Sequence, residues 1–464
     1  MLVRFICFIF LSFSYLFSLD FTVTEKGKSL DDNNTILIFG GMQGDEPGGF
    51  HAASLLISDY NITKGKIIVA PNLAFDSIIK RSRGANGDLN RKFASLSPKD
   101  PDYKTVQRIK KLILRDEVGM IINLHDGWGF YRPTFMNAKK NPKRWGNSGV
   151  IDTHEINASK YSRLDIIAQS AVEAVNSFLI DPKHRFFVKN TKTKELDDTE
   201  MLKALTYFAI SNNKAAFANE ASKDLPVHLR VYYHLLAIEH YLNIAGIEFT
   251  RSFELNPEEI KKVINQELHI KLFGNKILYI LDKPKPSINY VPTPIYGNLG
   301  YETSNELTAI IAEQSSFFVQ YGNNFQTRLF PEYFEFSYAF DEFELIVDGV
   351  SMISPFASKI VVNDTLMIPK MNGVRVNVIG FDYAKDESGI EIRKKDMQRQ
   401  FSLDAAGRYF RVEFYELRNA NLNQQFFPKT DSKNIDNAPY LSERQYQEAL
   451  KKDKFLGSIL VEFK

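Results

Sequence analysis

The segment 35-TILIFGGMQGDEPGG-49 joins an apolar β-branched run to a glycine-rich polar loop. Thr35–Phe39 predicts a buried strand, and residues 49–60 show helical spacing. Ligand sites in open α/β sheets lie beyond the carboxyl ends of the strands, which makes Gln43 and Glu46 candidate site residues. The flanking glycines allow a sharp turn, so that both side chains can face one point. Taken alone, the segment is better explained as a glycine-rich turn with solvated polar residues.

The same alternation of strands and helices continues to about residue 246. Apolar runs at 66–70, 119–124 and 215–219 predict further buried strands. Helical spacing recurs at 103–116, 161–179 and 225–245. This order predicts an α/β domain, in which helices cover both faces of a parallel or mixed sheet.

The second half of the chain has a different character. Residues 269–464 contain short alternating runs rich in Phe, Tyr, Val and Ile, broken by Pro, Gly and Asn. They predict two small all-β modules that divide near 340–348, the last with an immunoglobulin-like sandwich as one candidate form. A capping box at Ser442 predicts a late helix that ends near Lys452. We therefore expect domains at 19–250, 251–342 and 343–464, after a signal peptide at 1–18.

Composition and charge narrow the function classes. The 464 residues are 44% hydrophobic, and 58 basic against 56 acidic residues leave a net charge of +2, which argues against a nucleic-acid partner. The apolar run 5–17 after Arg4 predicts a cleaved signal peptide, with an uncleaved anchor as the alternative. The single cysteine, Cys7, lies in that run, so cysteine-based metal sites and nucleophiles are excluded from the mature chain. We expect a periplasmic protein without stable membrane insertion.

Three other segments carry candidate site residues. His125 ends the strand predicted at 119–124, although a histidine in that place is more often structural. Glu220 ends the strand predicted at 215–219, where burial would raise its pKa and suit it to act as a base. The loop 81–93 contains three arginines, whose forked donors are suited to binding a carboxylate. These segments could converge at one edge of the sheet.

The segment 88-DLNRKF-93 resembles the D-L-N-R-N-F signature of the carboxypeptidase A-like zinc carboxypeptidases. That family orders its motifs as H-x-x-E, D-L-N-R, a lone His and a catalytic Glu, and this chain has the same order. Gln43 stands where the family has its first histidine. This substitution, the signal peptide and the β-rich second half resemble the DL-carboxypeptidases that determine the shape of helical bacteria. Those enzymes trim muramyl tripeptide to dipeptide and release meso-diaminopimelate.

The resemblance implies a zinc carboxypeptidase fold, one Zn²⁺ per chain and roles for particular residues. The implied ligands of zinc are Gln43, Glu46 and His125. Glu220 is the implied general base, and Arg83, or less favourably Arg81, stabilises the oxyanion. The implied substrate contacts are Asn90 and Arg91 for the terminal carboxylate, with Trp128 and Thr206 lining the pocket.

Two other functions fit parts of the sequence. An amidohydrolase of the same fold would not need Asn90 and Arg91, and a cell-wall binding or scaffolding protein would not need Glu220. The expected partners are peptidoglycan muropeptides, and cell-wall proteins that contact the β modules. His228, His234 and His240 recur every six residues, which scatters them around a helix axis, and we interpret them as structural.

Overall fold

The computed structural model describes residues 19–29, 34–265, 268–297, 299–419, 433–434, 439 and 441–464. The predicted signal peptide at 1–18 lies outside these residues. Within the described ranges, no helix is both long enough and apolar enough to cross a membrane.

The first half of the chain forms a mixed eight-stranded sheet with helices packed against it. Its strands are β1 (Thr24–Lys28), β2 (Thr35–Phe39), β3 (Tyr60–Ala70), β4 (Val118–Gly127), β7 (Ser148–Ile151), β8 (Phe187–Asn190), β9 (Ala215–Ser222) and β10 (Glu248–Arg251), while β5 (Phe130–Tyr131) and β6 (Lys140–Asn141) form a separate pair. Its helices are α1 (Pro47–Ser58), α2 (Phe75–Ile79), α3 (Tyr103–Ile113), α4 (Leu164–Asn176), α5 (Leu205–Ser211), α6 (Val227–Ile244) and α7 (Pro257–Val263).

The strand order of this sheet is β1-β3-β2-β4-β9-β7-β8, and β10 also pairs with β3. The four central strands β3, β2, β4 and β9 run parallel, whereas β1 and β10 pair antiparallel with β3, and β7 pairs antiparallel with β9 and parallel with β8. Every residue of β2, β4 and β9 is buried, as expected for strands covered on both faces. The predicted mixed sheet is confirmed, and its four predicted strands lie within these central strands.

The second half of the described chain is all-β apart from one helix of four or more residues, as predicted. Its strands are β11 (His269–Leu272), β12 (Ile277–Ile280), β13 (Ser287–Pro294), β14 (Gly300–Thr303), β15 (Thr308–Ala312), β16 (Phe317–Tyr321), β17 (Asn324–Phe334), β18 (Glu342–Val347), β19 (Val350–Pro355), β20 (Lys359–Val362), β21 (Thr365–Met367), β22 (Val374–Val378), β23 (Ile392–Arg393), β24 (Tyr409–Glu416), β25 (Lys433–Asn434) and β26 (Lys454–Phe463). They form the sheets β12-β11-β14-β25 and β13-β17-β16-β15, followed by β19-β18-β21-β23 and β20-β26-β24-β22.

The buried apolar residues form three clusters. One fills the first half, a second is centred on the sheets built from β11 to β17, and a third lies between the two last sheets. We refer to the second and third regions as the middle module and the C-terminal module. The predicted capping box is confirmed at Ser442, and the helix α8 (Glu443–Ala449) ends three residues earlier than expected. The domain boundaries and the immunoglobulin-like form stay predictions.

The first half packs tightly against the middle module. Phe50 of α1, with Phe75 and Ile78 of α2, belongs to the buried cluster of the middle module. Side-chain hydrogen bonds cross the same contact, among them Asn72 Nδ2 to the Glu306 carbonyl (3.0 Å) and Gln320 Nε2 to the Ile79 carbonyl (2.8 Å). Helix α1, which follows the Gln43–Glu46 loop, is therefore stabilised by the middle module as well as by its own sheet.

Candidate metal centre and active site

The loop between β2 and α1 places Gln43 and Glu46 at the carboxyl edge of the sheet, where both are almost completely buried. A β-carbon on Gly44 would lie 2.0 Å from the Ser77 backbone, so only glycine fits this close approach. Glu46 is the N-cap residue of α1. The sequence thus turns the loop inward and directs both polar side chains away from solvent.

His125, near the end of the strand β4, contacts Glu46 directly. Its Nδ1 lies 2.9 Å from Glu46 Oε2, which also accepts a hydrogen bond from the Asp126 amide at 3.2 Å. Burial disfavours the charged imidazole, but the hydrogen bond and charge of Glu46 outweigh burial and raise the pKa of His125. The two side chains face one point, as their predicted roles require.

Gln43 is oriented by Asp88. Its Nε2 donates to Asp88 Oδ1 at 2.8 Å, and an ionised carboxylate can only accept, so the amide nitrogen must face Asp88. This leaves Gln43 Oε1 buried, with no hydrogen-bond partner among the described residues. A buried oxygen without a partner is costly unless a group such as a bound cation satisfies it.

The residues at this point fit a zinc ion. The amide oxygen of Gln43, the carboxylate of Glu46 and the imidazole of His125 supply three oxygen and nitrogen donors, the number that a catalytic zinc site takes from protein. The described residues contain no group of three His, Cys, Asp or Glu side chains able to hold a metal. The third donor here is the Gln43 amide, so only two of the three donors, Glu46 and His125, belong to those residue types.

Glu220 lies beside this centre. It is paired with His125 in the register of β4 and β9, and it is 9% exposed. Burial, reinforced by the nearby carboxylates of Glu46 and Asp126, raises the pKa of Glu220 to about 7, against the opposing effect of His125. A carboxylate with that pKa can both accept and return a proton near neutral pH.

Arg83 and Arg81 have different surroundings. The guanidinium of Arg83 donates to Asp88 Oδ2 (3.0 Å) and lies 3.6 Å from Glu46 Oε1, and its side chain remains half exposed. Arg83 lines the cavity above the centre, whereas Arg81 is not among the lining residues. Between the two sequence candidates, the geometry therefore favours Arg83.

One cavity of about 260 Å³ brings the predicted site residues together. Its lining includes Gln43, Glu46, Arg83, Asn90, Arg91, His125, Trp128, Thr206 and Glu220. Asn90 Oδ1 accepts from the Leu205 amide at 3.0 Å, which fixes the start of α5 and hence the position of Thr206. Trp128 is 63% exposed, so its ring lies at the mouth and not in the core.

The sequence interpretation missed Asp126 and its partners. The buried Asp126 carboxylate accepts from the Gly48 amide (2.8 Å), Arg230 Nη1 (2.9 Å) and His234 Nε2 (3.2 Å). Since the Asn219 amide donates to Nδ1 of His234, the proton of a neutral ring is at Nε2. This network ties β4, α1 and α6 together behind the metal centre. The polar residue after His125 was its only signal in the sequence.

A polar wall of the cavity was also missed. Asp152, at the end of β7, accepts from Thr191 Oγ1 at 2.5 Å and from the Thr193 amide at 3.1 Å. Asp152, Thr191 and Arg144 all line the cavity. These residues come from connections whose sequence gives no motif.

Comparison with protein families shows where this architecture occurs. Residues 1–265 match the catalytic-domain model of the carboxypeptidases controlling helical cell shape. The chain belongs to this family. Residues 336–464 match the C-terminal domain of metallo-carboxypeptidases. A search of curated proteins found no match.

Solved structures of another cell-shape carboxypeptidase share the whole fold. The apo form of cell shape determinant protein Csd4 from Helicobacter pylori is 37% identical, with a TM-score of 0.82 over 96% of this chain and 100% of that chain. Its tripeptide-bound form has the same identity and coverage and a TM-score of 0.81. Its mDAP-bound form, described as a D,L-carboxypeptidase, is 36% identical over 95% of this chain and 100% of that chain, with a TM-score of 0.82. The present chain is thus a metallocarboxypeptidase that acts on peptidoglycan, as the sequence indicated.

Proposed function

We propose that this chain uses one Zn²⁺ to trim the peptide stems of peptidoglycan, converting muramyl tripeptide to dipeptide and releasing meso-diaminopimelate. The observation that carries the proposal is one cavity that joins three buried donors, a buried carboxylate and the Asn90–Arg91 pair. The relatives with bound tripeptide and mDAP support the choice of substrate.

Gln43, Glu46 and His125 would hold the metal. A zinc ion bound by them would polarise the scissile carbonyl and make the attacking water more acidic. Asp88 keeps the Gln43 oxygen directed at the centre, since the amide nitrogen donates to its carboxylate. Asp126 positions the backbone at Gly48, which lies in the first turn of α1, two residues after Glu46.

Glu220 is the proton carrier of the reaction. Its carboxylate accepts a proton from the attacking water and returns it to the leaving amine. Arg83 donates to the oxygen that becomes negative during attack, which stabilises the tetrahedral state. The half-exposed side chain of Arg83 can turn from Asp88 toward the substrate.

Asn90 and Arg91 bind the terminal carboxylate of the substrate. Arg91 lies in the short 3₁₀ helix Leu89–Arg91, 3.9 Å from the exposed Glu200. A guanidinium group can bind a carboxylate through two parallel hydrogen bonds, which selects chain ends over internal bonds. Diaminopimelate carries a second amino acid group, and Asp152 with Arg144 supplies both signs of charge in the same cavity.

The proposed location is the periplasm. The apolar run at 5–17 has the length and flanks of a signal peptide. An enzyme that acts on peptidoglycan must also meet its substrate outside the inner membrane.

The test is to incubate the purified chain and its zinc-loaded form with muramyl tripeptide, tetrapeptide and pentapeptide, and to identify the products by mass. We expect diaminopimelate from tripeptide only. Glu220→Gln should keep its zinc and lose at least about 10²-fold in turnover, because the proton acceptor is removed without touching a ligand. The exposed Glu173→Gln on α4 is the matched control.

Three results would contradict the proposal. Full turnover by Glu220→Gln would place the base elsewhere. Cleavage of amide substrates without a free terminal carboxylate would favour the amidohydrolase alternative, and binding of muropeptide without turnover at any zinc concentration would favour a scaffolding protein.

A further inference from the structure

A second, larger cavity lies between the middle and C-terminal modules, outside the catalytic half. Its volume is about 820 Å³, and its walls are β13 and β17 on one side and β22 and β24 on the other. Binding sites for small molecules typically measure roughly 300–1,000 Å³. A concave site of this size suits a small ligand, or a segment of a chain-like ligand, better than the flat face of a protein.

A buried ion pair forms part of the cavity lining. Arg411 and Glu413 are each 3% exposed, and their side chains meet at 2.5 Å. Arg411 also donates to Tyr279 Oη (2.7 Å) and the Tyr290 carbonyl (2.9 Å), so it fastens the C-terminal module to the middle module. Buried ion pairs add little net stability compared with apolar packing. The pair lies within β24, and the hydrogen bonds of Arg411 to Tyr279 and Tyr290 fix the distance between the two walls.

The loop at the cavity edge is also held in place. Lys285 Nζ donates to the Gln400 carbonyl at 2.8 Å, and the Lys285 amide donates to the Leu403 carbonyl at 3.0 Å. These bonds join the start of β13 to the loop 398–403 across the gap. The cavity is therefore formed before any ligand binds.

The lining has the chemistry of a sugar-binding site. Four amide side chains, those of Asn289, Asn377, Gln398 and Gln400, line it. Each can donate and accept hydrogen bonds at once, which matches hydroxyl and acetamido groups. Phe401 and Tyr290 add rings that are 45% and 70% exposed, and these can cover the apolar face of a sugar ring.

Tyr290 has an unusual backbone. Its φ is 55°, at the register shift between Ile288 and Val291 in β13. A bulky residue in the left-handed region is uncommon, and such strain is concentrated at functional sites. The conformation presents the exposed ring of Tyr290 at the cavity.

The charge of the lining favours an anionic ligand. Six basic and four acidic side chains line the cavity, an excess of two positive charges. Lys385 and Lys451 are exposed, and neither has an ion-pair partner within 4.0 Å in the described part of the chain. They are available to a ligand carboxylate.

We propose that this cavity binds an anionic amino-sugar chain, namely the glycan backbone to which the peptide substrates are attached. The inference rests on the proposed function for the identity of the polymer. The amides bind the hydroxyl and acetamido groups, Tyr290 and Phe401 pack against the sugar rings, and the lysines attract the carboxylates. The cavity holds the polymer while the catalytic site acts on its peptide stems.

The test is titration calorimetry of the full-length chain with peptide-free glycan strands that retain their lactyl carboxylates. We expect Tyr290→Asn and Phe401→Ala each to weaken binding at least about tenfold, since a ligand ring packed on an aromatic side chain contributes about this factor or more to affinity. Asparagine tolerates the left-handed backbone, so the first variant removes the ring without added strain. Phe178→Ala, at a 61% exposed phenylalanine beyond α4, is the matched control.

The comparison ligands separate the alternatives. Neutral chitin oligosaccharides should bind more weakly than the glycan strands, and the difference should shrink at high salt. All variants should hydrolyse soluble muramyl tripeptide as the parent chain does. Equal glycan binding by parent and both ring variants, no glycan binding by the parent, or preference for free stem peptides would each overturn the proposal. If the parent chain binds the glycan strands but does not hydrolyse muramyl tripeptide, only the proposed function is refuted.

Discussion

At the scale of single residues, Asp88 determines which atom of Gln43 faces the metal centre. An amide can present its oxygen or its nitrogen, and the bond from Nε2 to the carboxylate leaves only the oxygen. The same carboxylate holds Arg83 at 3.0 Å. One side chain therefore orients both a candidate ligand and a candidate oxyanion donor.

The first prediction concerns Gln43→His. A neutral amide oxygen is a poorer donor to zinc than imidazole, so the variant should bind zinc at least about tenfold more tightly. At limiting zinc it should also be more active, and at saturating zinc the difference should narrow or reverse. Zinc titration with parallel measurement of diaminopimelate release checks both. Gln169→His, on the exposed face of α4, controls for zinc bound by an added surface histidine. No gain over that control would remove Gln43 from the ligand set.

The second prediction concerns pH. Glu220 must be ionised to accept a proton, and in the metal-free site its pKa is raised to about 7. A bound cation adds positive charge and lowers that pKa. Activity should therefore rise with pH, and the midpoint of this acidic limb should lie at or below about pH 7. The measurement is kcat/KM for tripeptide across pH at saturating zinc. An acidic limb centred clearly above pH 7 would assign it to another group.

At the scale of elements, α1 connects the metal loop with two distant parts of the fold. Its first turn is bound by Asp126 through the Gly48 amide, and its buried Phe50 packs into the middle module. The buried His51 follows, with its Nδ1 3.4 Å from the Tyr321 hydroxyl. Burial lowers the pKa of His51 to about 4, so it remains neutral at this contact.

The third prediction is that Gly48→Ala weakens both the fold and the metal site. The new β-carbon would lie 2.4 Å from Asp126 Oδ1 and 2.6 Å from Arg230 Cβ, so the start of α1 must move. Overpacking of this kind costs about 1–3 kcal/mol. Chemical denaturation and zinc titration measure the two effects. Ser58→Ala, at the exposed end of the same helix, should change neither, and an unaltered zinc affinity in Gly48→Ala would contradict the positioning role.

The sequence predicted the central strands well because residues buried on both faces leave continuous apolar runs, as in β2 and β9. It missed β1, β7 and β10. These strands are short or partly exposed, and each forms an antiparallel pair with β3 or β9 of the parallel centre of the sheet. The candidate site residues with a motif or a strand-end position line one cavity. Asp126 and Asp152 were not predicted, because their partners are distant in sequence and only tertiary packing brings them together.

At the scale of the whole molecule, the catalytic half shares its buried surface with the middle module. Phe50, Phe75 and Ile78 are each at most 3% exposed, and the residues that cover them include parts of the middle module. The catalytic half is thus incomplete without that module.

The fourth prediction is that the fragment 21–265 is much less stable than the full chain. Exposing three large apolar side chains costs on the order of 5 kcal/mol, comparable to the whole stability of many domains. Denaturant unfolding, followed by a probe in the catalytic half, should show a lower midpoint or no cooperative transition. Replacing Asn305 by Ala in the full chain removes only polar contacts, with Ser54 and with the Leu307 amide, and should have little effect. A fragment with the midpoint of the full chain would show that the catalytic half folds alone.

The position of β26 has a genetic consequence. This strand spans Lys454–Phe463, almost the last residues of the chain, yet it lies inside its sheet between β20 and β24. A stop codon or frameshift at position 454 would therefore remove an interior strand, separate β20 from β24 and expose the core of the C-terminal module. Nonsense alleles that remove β26 should be as severe as much earlier ones in that module, and stepwise truncation through residues 454–463 should find no tolerated interval.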